Sequence, residues 1–201
     1  MLKSLINLIY PLRCQVCGVK LDPYKDGVLC QDCLGNIRRN RPPFCIKCGR
    51  SILNNTKCKQ VCQECISTKF YFERVWSVCI YEGIIKECIH LFKYKQRLCL
   101  EKPLSELMID FKDHYININF DVVVPVPLCR RRLAEREFNQ AEILAKNLAK
   151  SLGVPLVISC LIKTKNTKPQ SDLTRKQRFL NVAGAFLLKE PIFFYKKNVL
   201  L

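Results

Sequence analysis

The most distinct hydrophobic pattern in the chain is a run of apolar, largely β-branched residues over 120–128 that does not alternate with polar ones. Such a run predicts a strand buried on both faces of a parallel sheet. An arginine-rich segment, 129–138, follows, and apolar residues then recur at helical spacing over 141–152 until Gly153 and Pro155 supply a stop signal. The pattern therefore predicts a strand, a cationic loop and a helix in succession, as one βα unit.

Weaker patterns predict elements on either side of this unit. In chain order they are an amphipathic helix over 1–13, a strand over 74–81, a helix from Gly83 with Ile85, Cys88, Ile89 and Phe92 on one side, a helix over 103–111, a strand over 156–162, a short helical turn over 173–182, a strand over 183–188 and the start of another at 198–201. Alternating strands and helices are typical of α/β domains with a parallel sheet. Because an apolar run that begins a strand normally leads into a turn and a helix, we expect the sequence to be truncated after Leu201.

Four Cys-x-x-Cys pairs lie between residues 14 and 65. They are Cys14 and Cys17, Cys30 and Cys33, Cys45 and Cys48, and Cys62 and Cys65. Twelve residues separate the first pair from the second and thirteen separate the third from the fourth, which indicates a tandem repeat. Two such pairs can close a tetrahedral thiolate site with no open position, so two structural zinc ions are predicted. Sequential pairing is favoured, an interleaved arrangement stays open, and Cys58 is a spare thiol or a replacement ligand.

The chain has 14 cysteines among 201 residues, and its start lacks the pattern of a secretory signal. Both observations favour metal binding in the cytoplasm over a disulfide framework. A redox role is disfavoured as well, because a thioredoxin-like Cys-x-x-Cys motif occurs singly at a helix start rather than four times. No stretch reaches the apolar length that is needed to span a bilayer.

The charge is strongly positive, with 34 Lys and Arg against 17 Asp and Glu. This excess favours nucleic acid or phosphorylated ligands as partners, although a solvated surface gives the same count. Aromatic residues near the basic clusters, including Phe92, Tyr94 and Phe138, would suit base stacking in single-stranded nucleic acid, or could belong to the core. At the carboxyl end of the predicted strand, arginines and a helix N-terminus would suit a phosphorylated small molecule. A solvated loop is the alternative.

Several segments together match the pattern of one known family. They are the stretch 10–14 leading into the cysteine pairs, the stretch 90–95, the stretch 123–128 with Arg130, Arg131 and Arg132, the stretch 138–141, and the stretch 170–175 with Arg178 and Asn181. In these segments the chain resembles the ComF family of competence proteins. The resemblance covers essentially the whole chain. It implies a small double zinc ribbon before an α/β, parallel-sheet, phosphoribosyltransferase-like domain that is incomplete at its carboxyl terminus. The corresponding boundaries are 1–13 for the N-terminal helix, 14–68 for the ribbons and 69–201 for the transferase-like domain.

The resemblance also implies a function. The intact protein would bind phosphoribosyl pyrophosphate with Mg²⁺ and act in natural transformation, handling single-stranded DNA in the cytoplasm. The alternative is a non-catalytic zinc-ribbon adaptor that binds single-stranded DNA or another uptake protein, such as a helicase or processing factor. The substrate-binding residues that it implies are Lys93, Pro125, Val126, Pro127, Arg130, Arg131, Phe138, Asn139, Gln140, Arg175, Arg178 and Asn181.

Two departures from the family pattern bear on activity. Glu137 stands where glycine is usual, and its negative charge would lie at the mouth of a phosphate site. The acidic pair and the glycine-containing phosphoribosyl pyrophosphate loop are expected after the strand that here ends at Leu201, so this chain is expected to be inactive as a transferase.

Overall fold

The structure, a computed structural model, describes residues 11–22, 27–52 and 60–201. Cys58 and most of the amphipathic helix predicted for 1–13 lie outside the described residues. The chain divides into two compact units, Met1–Leu91 and Phe92–Leu201, each of which is described by itself. Within the described ranges, no helix combines the length and the apolar character that a membrane crossing requires.

The described residues form seven α-helices, four short strands and three 3-10 turns. The helices are α1 Gln31–Gly35, α2 Gln63–Ser67, α3 Gly83–Tyr94, α4 Glu101–Tyr115, α5 Arg130–Arg136, α6 Gln140–Leu152 and α7 Arg175–Val182. The strands are β1 Val122–Val123, β2 Leu161–Lys163, β3 Phe186–Leu188 and β4 Val199–Leu200, and the 3-10 turns are Leu98–Leu100, Gln170–Asp172 and Pro191–Phe194. The helices predicted from Gly83 and over 103–111 are therefore present, the latter two to four residues longer at its ends.

In the first unit, the strand predicted over 74–81 is wrong. The segment is extended, but its partners belong to irregular backbone instead of a sheet. The N–H of Val75 donates to the carbonyl of Lys47 (2.8 Å). Further along, the N–H of Ile80 donates to the carbonyl of Arg38 (2.9 Å). The segment is therefore held by backbone hydrogen bonds to Lys47 and Arg38 without joining a regular strand in the described residues.

In the second unit, β1 forms the parallel pairing that its sequence predicts. Val122 lies opposite Val199 and Val123 opposite Leu200 in parallel register. On its other side, Val123 makes a parallel bridge with Leu156. A central strand with parallel neighbours on both edges is the arrangement expected for a continuous apolar run.

Both faces of β1 are covered, as the unbroken apolar pattern predicts. Val122 and Val124, which are 0% and 3% exposed, pack with Cys160 on one face. Val123 packs with Ala145 and Ala149 of α6 on the other face. Side chains that alternate between two apolar environments leave no polar face on the strand.

The regular pairing of β1 is shorter than the predicted strand over 120–128. Its hydrogen bonds run from the N–H of Asp121, which donates to Asn198 O (2.9 Å), to the N–H of Val124, which donates to Leu200 O (2.8 Å). Pro125 follows at once, and a proline has no N–H to donate to a ladder. The strand therefore ends where the proline-containing stretch begins.

The loop predicted for the arginine-rich segment 129–138 is wrong, because Arg130–Arg136 form the helix α5. Arginine, leucine, alanine and glutamate are all strong helix formers, and their summed propensity outweighs the charge repulsion. An ion pair four residues apart, from Arg131 Nε to Glu135 Oε1 (3.0 Å), adds to the stability of the turn. The helix stops at Glu137, whose φ of +66° is left-handed.

The left-handed conformation of Glu137 predicts that Glu137→Gly is stabilising. A residue with a Cβ pays about 1–2 kcal/mol for this conformation, whereas glycine adopts it freely and loses about 0.5–1 kcal/mol in chain entropy. We expect the free energy of unfolding in urea to rise by about 0.5–1 kcal/mol. Gly153→Ala, at the corresponding end of α6 with φ +68° and open space around it, is the reverse control and should destabilise. An unchanged or lowered midpoint for Glu137→Gly would contradict the explanation.

The strand predicted over 156–162 is divided into two parts. Leu156 pairs with Val123, and after a bend at 159–160 the strand β2 pairs antiparallel with β3. The bend arises because Cys160 turns its side chain into the core while its carbonyl accepts the N–H of Lys189 (2.7 Å). The helix α7 lies between these two strands in sequence and begins with a capping box from Thr174.

The helix α6 follows β1 and α5 and is capped at both ends. The Asn139 side chain accepts a hydrogen bond from the N–H of Ala141 (3.2 Å), and Gly153 closes the helix with a left-handed φ. Asn147 of α6 donates to Glu101 Oε1 (2.8 Å) and Ser105 Oγ (2.9 Å) of α4. These caps and cross-links position the start of α6 beside the end of β1.

Candidate functional site

The eight cysteines of the four pairs form two separate clusters in the first unit. One comprises Cys14, Cys17, Cys30 and Cys33, and the other comprises Cys45, Cys48, Cys62 and Cys65. In each cluster the sulfur atoms all lie within 4.8 Å of one another. The sequential pairing predicted from the sequence is therefore confirmed, and the interleaved arrangement is excluded.

The sulfur spacing fits a tetrahedral zinc ion. Cys17 Sγ and Cys30 Sγ are 3.6 Å apart, and Cys48 Sγ and Cys62 Sγ are 3.7 Å apart. Four sulfurs at about 2.3 Å from a zinc ion would be separated by roughly 3.8 Å. A disulfide would bring two sulfurs to about 2.05 Å. These residues would hold two zinc ions in closed sites, whose function is structural because no coordination position remains for a substrate.

Two glycines shape the turns that carry these sulfurs. The N–H of Gly18 donates to Cys14 O (2.9 Å) and that of Gly49 donates to Cys45 O (2.8 Å), with φ values of +74° and +70°. The left-handed backbone turns both cysteines of a pair towards one point. Within the second cluster, the N–H of Cys62 also points at Cys45 Sγ (3.3 Å).

Burial and neighbouring sulfur atoms raise the pKa of the Cys33 and Cys65 thiols. Several thiolates in one place repel one another, and a bound dication relieves this repulsion by neutralising two of the four charges. The donor set therefore suits a metal ion better than four free thiols.

A second cluster of polar groups lies where β1 ends in the second unit. Asn139 connects the two elements, because its side-chain amide donates to the carbonyl of Val126 (3.1 Å) while its oxygen caps α6. Gln140 is buried (4% exposed), and its amide nitrogen donates to the carbonyl of Lys93 (3.3 Å). The end of α3, the end of β1 and the start of α6 are thereby joined.

Two cations belong to this cluster. The Arg136 guanidinium lies 4.8 Å from the centroid of the Tyr94 ring, and its NH1 donates to Gln140 Oε1 (3.2 Å). Burial, and secondarily the nearby Arg136 charge, lower the pKa of Lys93. Phe138 packs against the buried Phe92 ring (6.4 Å between centroids). The arrangement is cationic, partly apolar at its base, and suited to an anion.

The structure thus brings together five of the predicted substrate-binding residues, namely Lys93, Val126, Phe138, Asn139 and Gln140. Pro125 is buried and Pro127 is half-buried, while Arg130 and Arg131 are exposed on α5. Arg136 was missed by the sequence analysis. No helical spacing could have found it, because the left-handed Glu137 separates Arg136 at the end of α5 from Gln140 at the start of α6.

Of the remaining predicted residues, Arg178 and Asn181 make hydrogen bonds within 163–188. Arg178 Nε donates to the carbonyl of Leu173 (3.0 Å). The Asn181 side chain makes two hydrogen bonds to the backbone of Lys168. Its amide donates to Lys168 O (3.0 Å), and its oxygen accepts the N–H of Lys168 (3.3 Å). Arg175 is exposed at the start of α7. Their membership of one site with Lys93 stays a prediction.

Lysine and aromatic side chains pair in the last third of the chain. Lys163 Nζ lies 5.7 Å from the Phe186 ring, Lys197 Nζ lies 3.5 Å from the Phe193 ring, and Lys196 Nζ lies 5.3 Å from the Tyr195 ring. Residues 156–201 contain nine Lys and Arg against two Asp and Glu. This segment therefore combines accessible rings with a local positive charge.

Comparison with known proteins first identifies the class of the amino-terminal part. The family model described as a double zinc ribbon domain matches residues 5–66, the region that contains both cysteine clusters. No solved structure matches the chain. The ribbon class is therefore supported by sequence and geometry alike, while a phosphoribosyltransferase-like fold for the second unit stays a prediction.

Curated relatives then indicate the family. Competence protein F of Haemophilus influenzae is 26% identical, over 89% of this chain and 77% of its own length. DNA utilization protein YhgH of Escherichia coli is 27% identical, over 92% of this chain and 81% of its own length. Competence protein ComFC of Bacillus subtilis is 28% identical, over 86% of this chain and 67% of its own length. These matches confirm the resemblance to the ComF family.

Proposed function

We propose that the protein acts in DNA uptake, that its second unit binds phosphoribosyl pyrophosphate with Mg²⁺, and that it contacts single-stranded DNA. The names of the relatives, competence protein and DNA utilization protein, support the first part. The cationic cluster beside the end of β1 supports the second, and it is the observation on which the proposal mainly rests. The cytoplasm is the proposed compartment, because eight metal-binding thiols require reducing conditions.

Phosphoribosyl pyrophosphate suits the cluster chemically. It carries phosphate groups, for which lysine and arginine provide charge-assisted hydrogen bonds. In parallel sheets, ligands bind beyond the carboxyl ends of the strands, which is where Val126 and Asn139 meet. Mg²⁺ would bind the ribose and diphosphate oxygens of the ligand itself.

Calorimetric titration of the full-length protein with phosphoribosyl pyrophosphate tests this part. We expect saturable binding that needs Mg²⁺ and that Lys93→Gln weakens by about tenfold. Lys95→Gln, two residues along and exposed, removes the same charge outside the cluster and should leave the affinity within twofold. Absence of binding, or an equal loss in both variants, would refute the proposed ligand or its site.

Single-stranded DNA is proposed for the lysine and aromatic pairs of 163–197. Every base has a π-face, so an exposed ring can stack on it while a neighbouring lysine contacts the adjacent phosphate. Phe193 and Tyr195 are 42% and 73% exposed, which makes their rings accessible for stacking. Phe194 between them packs against the core beside Val122 and anchors the segment.

Fluorescence anisotropy with a labelled oligonucleotide tests the DNA part. The logarithm of the affinity should fall with the logarithm of salt concentration, by about 0.7 for each phosphate contacted. Tyr195→Ala should weaken binding by about fivefold or more, since stacking on one base contributes about 1–3 kcal/mol. Tyr71→Ala is the control, because Tyr71 is 99% exposed and belongs to the first unit. Salt-independent binding would contradict the proposal.

A zinc-ribbon adaptor is the second candidate, and the exposed apolar side chains of the ribbons favour it. Val19, Leu34 and Ile66 are 51%, 42% and 55% exposed. In this case the ribbons would dock another uptake protein, such as a helicase or processing factor. Loss of DNA binding in Tyr71→Ala instead of Tyr195→Ala would assign the DNA contact to the first unit and favour this candidate.

A further inference from the structure

Lys93 and Arg136 are far apart in the sequence, yet Gln140 connects them in the second unit, because its side-chain oxygen accepts from Arg136 NH1 (3.2 Å) and its amide nitrogen donates to the Lys93 carbonyl (3.3 Å). Within the part of the chain that the structure describes, neither forms an ion pair with a carboxylate. Two other arginines of α5 differ in this respect, because Arg131 and Arg132 lie 3.0 Å and 3.5 Å from the carboxylate oxygens of Glu135. The positive charge of this pair is therefore not neutralised by the protein.

The guanidinium of Arg136 is held in place without losing most of its donors. The Tyr94 ring lies under one face of the group, and Gln140 Oε1 accepts one N–H. A guanidinium has five N–H groups in a planar fork, so most of them stay available to a ligand. Gln140 is itself fixed, because it is buried and donates to the carbonyl of Lys93.

Two neighbouring cations repel each other, and a bound anion would relieve this repulsion. The lowered pKa of Lys93 reflects burial and, in addition, the charge of Arg136. An anion between the two groups would neutralise both and accept hydrogen bonds from each. A phosphate group with two negative charges matches the pair in charge, whereas a phosphodiester carries only one.

We propose that Lys93 and Arg136 together bind one terminal phosphate group, the dianionic end of a phosphomonoester or diphosphate. The inference rests on the proposed function, in that it places a phosphorylated ligand beside the end of β1. It goes further by assigning Arg136 as the second cation and Tyr94 and Gln140 as the groups that position it. The same chemistry occurs in a sugar phosphate and at the 5′-phosphorylated end of a nucleic acid.

Titrations with inorganic phosphate and with ribose 5-phosphate, followed by phosphorus NMR, test the site. We expect Arg136→Gln to weaken the binding of both probes at least tenfold. Arg132→Gln removes the same charge from the same helix, but from a residue that already pairs with Glu135, so it should change the affinity less than twofold. Arg136→Lys restores the charge without the planar fork and should give an intermediate affinity. No binding by the wild type, or equal effects of Arg136→Gln and Arg132→Gln, would overturn the proposal.

The pKa of Lys93, followed by its side-chain NMR signal, distinguishes a shared phosphate site from a purely structural role of Arg136. Saturation with phosphate should raise the pKa of Lys93, because the anion stabilises the charged amine. In Arg136→Gln the pKa should be higher before any ligand is added. A Lys93 pKa that is unchanged by both treatments would contradict a shared site.

Two further comparisons distinguish a nucleic-acid end from a sugar phosphate as the ligand. They also distinguish failure of this inference from failure of the proposed function. A 5′-phosphorylated oligonucleotide that binds more tightly than its 5′-hydroxyl counterpart, by an amount that Arg136→Gln abolishes, would identify a nucleic-acid end. Equal binding of the two oligonucleotides, with Arg136-dependent binding of ribose 5-phosphate, would identify a sugar phosphate. If phosphoribosyl pyrophosphate binds Arg136→Gln undiminished, this inference fails while the proposed function stands.

Discussion

Replacing Cys62 with serine is expected to remove one zinc ion and to unfold the second ribbon. The zinc ion of a four-thiolate site contributes on the order of 10–16 kcal/mol, and a segment as small as 45–65 has no core that could replace it. The backbone of 75–80 should lose its protection as well, since Val75 donates to Lys47 of this ribbon. Hydrogen exchange together with zinc analysis measures both effects.

The unit Phe92–Leu201 should keep its exchange protection in Cys62→Ser, and the first ribbon should keep its zinc. Cys79→Ser provides the control, because Cys79 lies in the same unit but in neither sulfur cluster, and it should retain both ions. Loss of both zinc ions in Cys62→Ser would show that the two clusters are not independent centres, and persistent protection at Val75 would show that the second ribbon does not need its zinc ion to fold.

Gly49→Ala is expected to be the more disruptive of two otherwise equivalent glycine substitutions. A Cβ at Gly49 would lie 2.7 Å from Val75 O and 2.8 Å from Ser77 N, both of them backbone atoms that cannot move without displacing the segment. We expect a loss of about 3 kcal/mol, of which about 1 kcal/mol is left-handed strain and about 2 kcal/mol is overpacking. Urea unfolding of the zinc-loaded protein gives the value.

Gly18→Ala is the matched variant, since Gly18 has nearly the same φ and occupies the same place in its ribbon. Nothing lies within 4 Å of a Cβ at this position, so only the strain of about 1 kcal/mol should remain. Equal destabilisation by the two substitutions would contradict the close approach of the 75–77 backbone to Gly49.

The cysteine spacing identified the ligands because a Cys-x-x-Cys turn is a local device whose geometry depends on few other residues. The choice between sequential and interleaved pairing depends on how the turns meet in space, and spacing alone left it open. The strand over 120–128 was predictable for a related reason, since a strand without a polar face needs cover on both sides. Its early end at Pro125 was also readable from the missing N–H.

The failures have two different physical causes, namely local helix propensity in one segment and tertiary context in the other. In 129–138 the density of arginine suggested a solvated loop, but the helix propensity of the same residues prevailed and gave α5. In 74–81 an alternating apolar pattern suggested a strand, but its hydrogen-bond partners lie in irregular backbone around the second ribbon. The family pattern usually has glycine where this chain has Glu137, and backbone conformation explains that preference, because Glu137 is left-handed.

Zinc content of the purified protein, combined with X-ray absorption at the zinc edge, is the most direct test of the two thiolate centres on which the fold of the first unit depends. Two zinc ions per chain are predicted, one for each cluster of four cysteines, with only sulfur ligands at about 2.3 Å. One ion or fewer per chain, or nitrogen or oxygen in the ligand shell, would contradict the two closed centres.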